Sequence, residues 1–208
     1  HLEPELLDEM VEVILEPLLD GLDLVGDRAR AKGDPEELAL HLGLVAQPGR
    51  GQPHLQTDRP AAVEPDPLVR ATVVEDFEAV YPACVAMYTE EVGVSPEAGG
   101  GGDLYRARVR QLINRGWSFA RFDEGRLVFK AEVACTSPFA AQVQGVWVPA
   151  DRRGEGLATA GMAAVVEAVR RDIAPVVSLY VNDWNEPARR AYERVGFVET
   201  ARFTTVMF

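Results

Sequence analysis

The stretch over residues 146–158, Val-Trp-Val-Pro-Ala-Asp-Arg-Arg-Gly-Glu-Gly-Leu-Ala, constrains the fold more than any other part of the chain. An apolar run rich in β-branched residues ends at Pro149, and a turn carrying Arg153, Gly154, Glu155 and Gly156 follows. An alanine-rich helix then begins at Leu157 and Ala158. Strand, glycine turn and helix N-terminus stand in immediate succession. Such a junction gathers free backbone N–H groups at the positive end of a helix dipole. Glycine lets a ligand approach the backbone closely, so the turn reads as a diphosphate cradle built on the N–H groups of residues 153–158. Arg-Gly-x-Gly also occurs in ordinary strand-to-helix turns, and that plain alternative stands until context is added. The turn lacks the Gly-x-x-x-x-Gly-Lys-Ser/Thr spacing of a phosphate-loop NTPase. It also lacks the third glycine and the later ribose-binding acid of a dinucleotide fold.

The context is a second element over residues 179–197, Leu-Tyr-Val-Asn-Asp-Trp-Asn-Glu-Pro-Ala-Arg-Arg-Ala-Tyr-Glu-Arg-Val-Gly-Phe. Together the two segments resemble the GNAT superfamily of acyl-CoA-dependent N-acyltransferases. The family pattern Asn-x-x-Asn-x-x-Ala-x-x-x-Tyr-x-x-x-Gly-Phe is met at Asn182, Asn185, Ala188, Tyr192, Gly196 and Phe197 with every spacing kept. The family's loop usually begins with Gln or Arg, and here that place holds Asp151. Because the loop works largely through backbone N–H groups, Asp151 is expected to be tolerated. The resemblance covers residues 68–208. Within it, residues 93–96, 99–102 and 176–208 resemble a subgroup from high-GC bacteria that carries an extra N-terminal domain.

The resemblance implies an α/β (α+β) fold: a mixed, mostly antiparallel central sheet flanked by helices. It implies acetyl-CoA as co-substrate, no metal, and direct attack by a primary amine in a ternary complex. The cofactor-binding set it implies is Val146, Trp147 and Val148 along the pantetheine arm, and Arg153, Gly154, Glu155, Gly156, Leu157 and Ala158 on the diphosphate. Asn182, Asn185 and Arg189 complete it. A backbone N–H near Trp147 or Val148 would polarise the acyl carbonyl, while the Trp147 side chain reads as core. A non-catalytic acyl-CoA-binding or sensing module is the alternative reading. Tyr192 and an unobstructed glycine loop favour catalysis.

Acyl transfer from a thioester to an amine needs a polarised carbonyl, a neutral amine and a proton for the departing thiolate. Tyr192 is the candidate acid, since a free phenol of pKa about 10 is protonated at neutral pH. The plain alternative is a tyrosine packed on the sheet with its hydroxyl at the rim. Asn185 either contacts the cofactor or caps its helix. Glu132 is the candidate base, because a lone carboxylate in the apolar strand Phe129-Lys130-Ala131-Glu132-Val133 is costly unless used or paired. Lys130 shares its face, so a structural ion pair is the competing reading. Gln142 and Gln144 are placed to hold a water, and a water chain would serve as base with no single essential residue. Glu90 and Glu91 are placed to bind a cationic acceptor or simply to be solvated.

With 208 residues, 47% hydrophobic and 26% charged, the chain is globular in composition. A net charge of −12 argues against nucleic acid as a partner. It would steer a cationic amine inward, or it merely confers solubility. No apolar run approaches the ~20 residues that span a bilayer, so no membrane partner is expected. Cys84 and Cys135 do not make a disulfide framework and read as small core residues. No His/Cys cluster has metal-ligand spacing. Two cysteines outside a disulfide framework make a reduced, cytoplasmic setting the expected one. The expected partners are a small-molecule or peptidyl amine, and a homodimer is an open expectation.

Three segments are read. Residues 1–45 form a small helical N-terminal segment, or part of a second copy of the same fold. Residues 46–67, rich in Pro and Gly, read as a linker. Residues 68–208 form the acyltransferase domain. Its strands are expected at 68–73, 117–122, 127–135, 141–148, 176–182, 197–201 and 203–208. Its helices are expected at 76–91, 104–114, 159–171 and 185–194.

Overall fold

Seven strands form one mixed sheet in the computed structural model, which describes residues 51–204. They are β1 (Gly51–Thr57), β2 (Arg70–Ala71), β3 (Ser118–Asp123), β4 (Arg126–Thr136), β5 (Ala140–Trp147), β6 (Val176–Tyr180) and β7 (Val198–Thr204). Their spatial order is β2-β3-β4-β5-β6-β1-β7. Every neighbouring pair is antiparallel except β5 and β6, which run parallel. The described helices are α1 (Phe77–Val92), α2 (Gly102–Asn114), α3 (Leu157–Asp172) and α4 (Glu186–Val195). This is the mixed, mostly antiparallel sheet flanked by helices that the sequence implies. The helical segment expected over residues 1–45 lies outside the described residues. The two final strands expected are one, β7, within those residues.

Alternation along the strands separates two layers of core. Phe129, Ala131 and Val133 of β4 join Met162, Val165, Val166 and Val169 of α3 on one face. Phe77, Val80 and Cys84 of α1 meet Val109 and Ile113 of α2 on the other. The β3–β4 hairpin closes through Glu124 and Gly125, both at positive φ (48° and 80°). That is the two-residue turn whose twist matches the flanking strands.

One segment departs from the reading. Residues 51–57, inside the expected linker, form β1, which lies between β6 and β7 and is antiparallel to both. Its inward residues Pro53, Leu55 and Thr57 are buried. Proline is ordinarily excluded from an interior strand because it lacks an N–H. Here Pro53 needs only its carbonyl, which accepts from Val181 N–H at 3.2 Å, just past the end of β6. The missing donor therefore falls where the ladder stops. Leu55 is the apolar anchor of this strand, 3% exposed within the main core. Leu55→Ala should cost about 2–5 kcal/mol of stability, the usual range for a buried Leu→Ala change. Urea unfolding measures it, and a change within about 0.5 kcal/mol, as for an exposed linker residue, would contradict this placement.

Candidate active site

β5 and β6 pair only near their starts: Ala140 with Val176, Ala141 with Val177 and Gln142 with Ser178. Past those pairs β5 continues to Trp147 and β6 to Tyr180 without pairing to each other. A gap thus opens between two neighbouring strands in mid-sheet. The bend lies in β5. Gly145 has φ +60°, and the β4–β5 register shifts between Lys130 and Glu132. This is a bulge, which bends the strand that carries it. A Cβ at Gly145 would lie 3.0 Å from Lys130 Nζ and 3.1 Å from Glu132 Cδ. Lys130 Nζ donates to Gly145 O at 3.1 Å and to Glu132 Oε2 at 3.1 Å. Gln144 Nε2 donates to Glu132 Oε1 at 3.0 Å. Burial alone would lower the pKa of the fully enclosed Lys130, but the Glu132 carboxylate outweighs it and holds the ammonium above its ordinary value. Cys84 lies against the same pair, and burial pushes its thiol up to about 11.

The glycine turn leads from the end of β5 to α3. Gly154 and Gly156 have φ of +85° and +83°, and a Cβ at either would meet nothing within 4 Å. The turn faces open space. Arg153 N–H donates to Ala150 O at a long 3.5 Å. Among the described residues, the N–H groups of residues 154–159 find no protein acceptor, and no side chain caps α3. These donors converge at the positive end of a helix of 16 residues, an arrangement that suits an anion. The cradle begins at Gly154, since the Arg153 N–H is already engaged.

The arginines around the turn are all paired. Arg126 holds Asp151 through two bonds of 2.7 Å. Arg152 meets Asp123 at 3.0 Å and Glu155 at 2.9 Å. Arg153 meets Glu90 at 2.7 Å, and its Nε donates to Val148 O at 3.0 Å. The acid at Asp151 is therefore neutralised by a residue of the β3–β4 hairpin. Attraction for an anion rests on backbone donors and the helix dipole.

Across the gap, the Tyr192 ring of α4 is 7% exposed and stands edge-on to Phe197. Its hydroxyl makes no hydrogen bond within the described residues, and it is not an enclosed polar atom lacking a partner. A buried ring with an open hydroxyl is the result. Burial raises the Tyr192 pKa and the Glu91 charge adds to this, so the phenol stays protonated at neutral pH. Asn185 caps α4, its Oδ1 accepting from Ala188 N–H at 3.3 Å. Asn182 Oδ1 accepts from Gln52 of β1 at 3.2 Å, and Arg189 Nη1 donates to Asp183 O at 3.3 Å. These three residues shape the loop after β6.

Residues 110–197 match the acetyltransferase (GNAT) family model. Over those residues the chain is similar to a GNAT acetyltransferase domain. Solved structures with this fold include an acetyltransferase of the GNAT family from Colwellia psychrerythraea, 17% identical with a TM-score of 0.61, covering 97% of this chain and 73% of that one. A GCN5-related N-acetyltransferase from Sphaerobacter thermophilus is 21% identical with a TM-score of 0.63, covering 81% of this chain and 54% of that one. A tandem GNAT protein from the clavulanic acid biosynthesis pathway is 18% identical with a TM-score of 0.57, covering 87% of this chain and 59% of its own. At these identities the likeness is one of fold, and this chain spans little more than half of the last two. No curated protein matches the sequence.

The sheet bulge brings Glu132 and Gln144 together with Lys130, while Tyr192 stands on the opposite layer. Both Glu132 oxygens are engaged. Glu91, at the C-terminal end of α1, has no such engagement. Burial raises its pKa, Lys130 opposes this, and Glu132 and Glu90 add to it. The Glu91 charge also acts on Tyr180 and Tyr192. No helix among the described residues is long and apolar enough to cross a membrane, and none of their His, Cys, Asp or Glu side chains cluster as metal ligands. A depression of about 780 Å³ lies elsewhere, along β2 and the outer side of α3, and touches none of these groups. If the Lys130 cluster pins β5, Lys130→Met should cost about 3–5 kcal/mol by leaving Glu132 buried and unpaired. Lys130→Met with Glu132→Leu should recover only part of that in urea unfolding, since the Gly145 carbonyl still lacks its donor. A single-mutant cost under about 1 kcal/mol would mean the pair does not hold the strand.

Proposed function

We propose that the protein transfers an acetyl group from acetyl-CoA to a primary amine, by direct attack with both substrates bound. The observation that carries this reading is the juxtaposition of an open glycine turn, with free N–H groups over residues 154–159, and the gap between β5 and β6. Residues 154–158 would receive the diphosphate, and the β6-facing edge of β5 at Val146 and Trp147, with Val148 just past its end, would receive the pantetheine amides. Asn182, Asn185 and Arg189 would fix the loop beside the thiol. The thioester supplies the activated acyl group, and the chain's own residues supply position and protons. Tyr192 offers a neutral phenol at the gap and donates to the leaving thiolate. Glu91, or water ordered beside it, takes the proton of the incoming amine. Glu132 serves to hold the bulge. The two cysteines, neither in a disulfide, fit a reducing cytoplasm.

Two variants separate binding from chemistry. Gly154→Val with Gly156→Val should abolish acetyl-CoA binding, because valine is strained at these positive φ values and its side chain fills the cradle. Calorimetry reads the outcome, with circular dichroism to show the fold is kept. Unchanged affinity would rule out the turn as the diphosphate site.

Tyr192→Phe should leave acetyl-CoA affinity alone and slow turnover ~10²–10⁴-fold, the range for a lost general acid. The measurement is CoA release against an amine panel. Unchanged turnover would reduce Tyr192 to packing. Tight acetyl-CoA binding with no CoA release from any amine would instead mark a binding or sensing module.

A further inference from the structure

The ion pair between Arg153 and Glu90 joins three elements at one point. Glu90 is at the C-terminal end of α1, and Arg153 immediately precedes the open cradle. Glu90 Oε2 accepts from Arg153 Nη2 at 2.7 Å and from Trp147 Nε1, at the end of β5, at 3.3 Å. Arg153 Nε donates to the carbonyl of Val148. The bond from Arg153 holds the Glu90 carboxyl below its ordinary value, so it is ionised at neutral pH. Both side chains are about half exposed, at 46% and 51%. A pair this open contributes little to stability and exchanges partners readily.

An anion seated on the N–H groups from Gly154 onward competes directly with Glu90 for this guanidinium. A diphosphate presents more charge than one carboxylate, and a guanidinium binds phosphate oxygens well. When Arg153 turns to the diphosphate, Glu90 keeps only the Trp147 N–H. Its full negative charge then stands beside Glu91, at the end of α1 that borders the gap. We infer that Arg153 and Glu90 form an exchange pair: CoA takes Arg153, and the freed Glu90 becomes a contact for the distal cation of a diamine-type acceptor. This rests on the proposed cofactor site. It makes the acceptor site acidic only once the cofactor is in place. Coupling between two sites is reciprocal, so a cation at Glu90 must tighten CoA by the same factor.

The test is calorimetry of CoA itself with wild type, Glu90→Gln, Arg153→Gln and the double variant, in 0.15 M salt. Glu90 is exposed at a helix end, and glutamine conserves its shape. Glu90→Gln should bind CoA about two- to fivefold more tightly, the scale of one exposed ion pair. Arg153→Gln should bind it more weakly. In the Arg153→Gln background, adding Glu90→Gln should change nothing further. Diaminobutane should tighten CoA binding to wild type and should have less effect on Glu90→Gln, which also controls for direct association of amine with CoA. If wild type binds no CoA, the cofactor reading and the exchange fall together. If wild type binds CoA but Glu90→Gln binds it no tighter, or gains equally without Arg153, the exchange alone is overturned. An equal response of wild type and Glu90→Gln to diaminobutane overturns the acceptor contact.

Discussion

Lys130 has no contact with solvent, yet it donates both to Glu132 and to the carbonyl of Gly145, the residue at which β5 leaves regular pairing. The gap between β5 and β6 depends on that bend. A bulge leaves backbone groups out of the ladder, and a buried carbonyl without a donor is costly. The ammonium answers the carbonyl, Glu132 answers the ammonium, and Gln144 answers the second carboxylate oxygen. A hydrophobic replacement for an ordinary buried pair is often harmless. Here it would also leave the bulge carbonyl unanswered, so the charged cluster specifies geometry as well as contributing energy.

That geometry matters because the surrounding electrostatics are unhelpful to an anion. The chain carries a net charge of −12. The arginines near the turn, Arg126, Arg152 and Arg153, each face a carboxylate. Free backbone donors carry no such compensating acid. Their partial charges are fixed by the turn and by α3, so they persist whatever the side chains do. A ligand that also draws Arg152 or Arg153 from its partner exposes acid elsewhere. In the proposed exchange, a diphosphate that draws Arg153 from Glu90 would shift charge toward the α1 side of the domain instead of simply neutralising it.

Much of this was legible in the sequence, and the exceptions have physical reasons. The strand–turn–helix over residues 146–158, the hairpin at Glu124 and Gly125, and the capped helix from Asn185 to Gly196 are set by local chemistry. Glycines and a cap residue mark them without tertiary help. β1 was not legible, because Gly51-Gln52-Pro53-His54-Leu55-Gln56-Thr57 offers one large aliphatic residue and a proline, the composition of a linker. Only its placement between β6 and β7 makes a strand of it, through backbone ladders that leave no trace in side-chain pattern. The competing readings of Glu132 also could not be separated by spacing. Alternation puts Lys130 on the same face, but the bulge that brings Gln144 and Gly145 to the pair is a property of β5. The partners of Arg153 and Asp151 lie 63 and 25 residues away, beyond any local signal.

The layered build also bears on proton traffic in the proposed reaction. Tyr192 comes from α4 on one side of the sheet, and Glu91 from α1 on the other. In the proposed reaction separate groups handle the amine proton and the thiolate proton. Burial raises both pKa values, and the Glu91 charge further disfavours ionisation of the phenol. That coupling works in the reaction's favour. A protonated Tyr192 leaves Glu91 more acidic than an ionised one would, and an ionised Glu91 keeps the phenol neutral. When Glu91 accepts the amine's proton its charge disappears, and the barrier to phenol ionisation falls at the moment the thiolate departs. In the proposed reaction this coupling would favour an amine-first, thiolate-second order of proton movements.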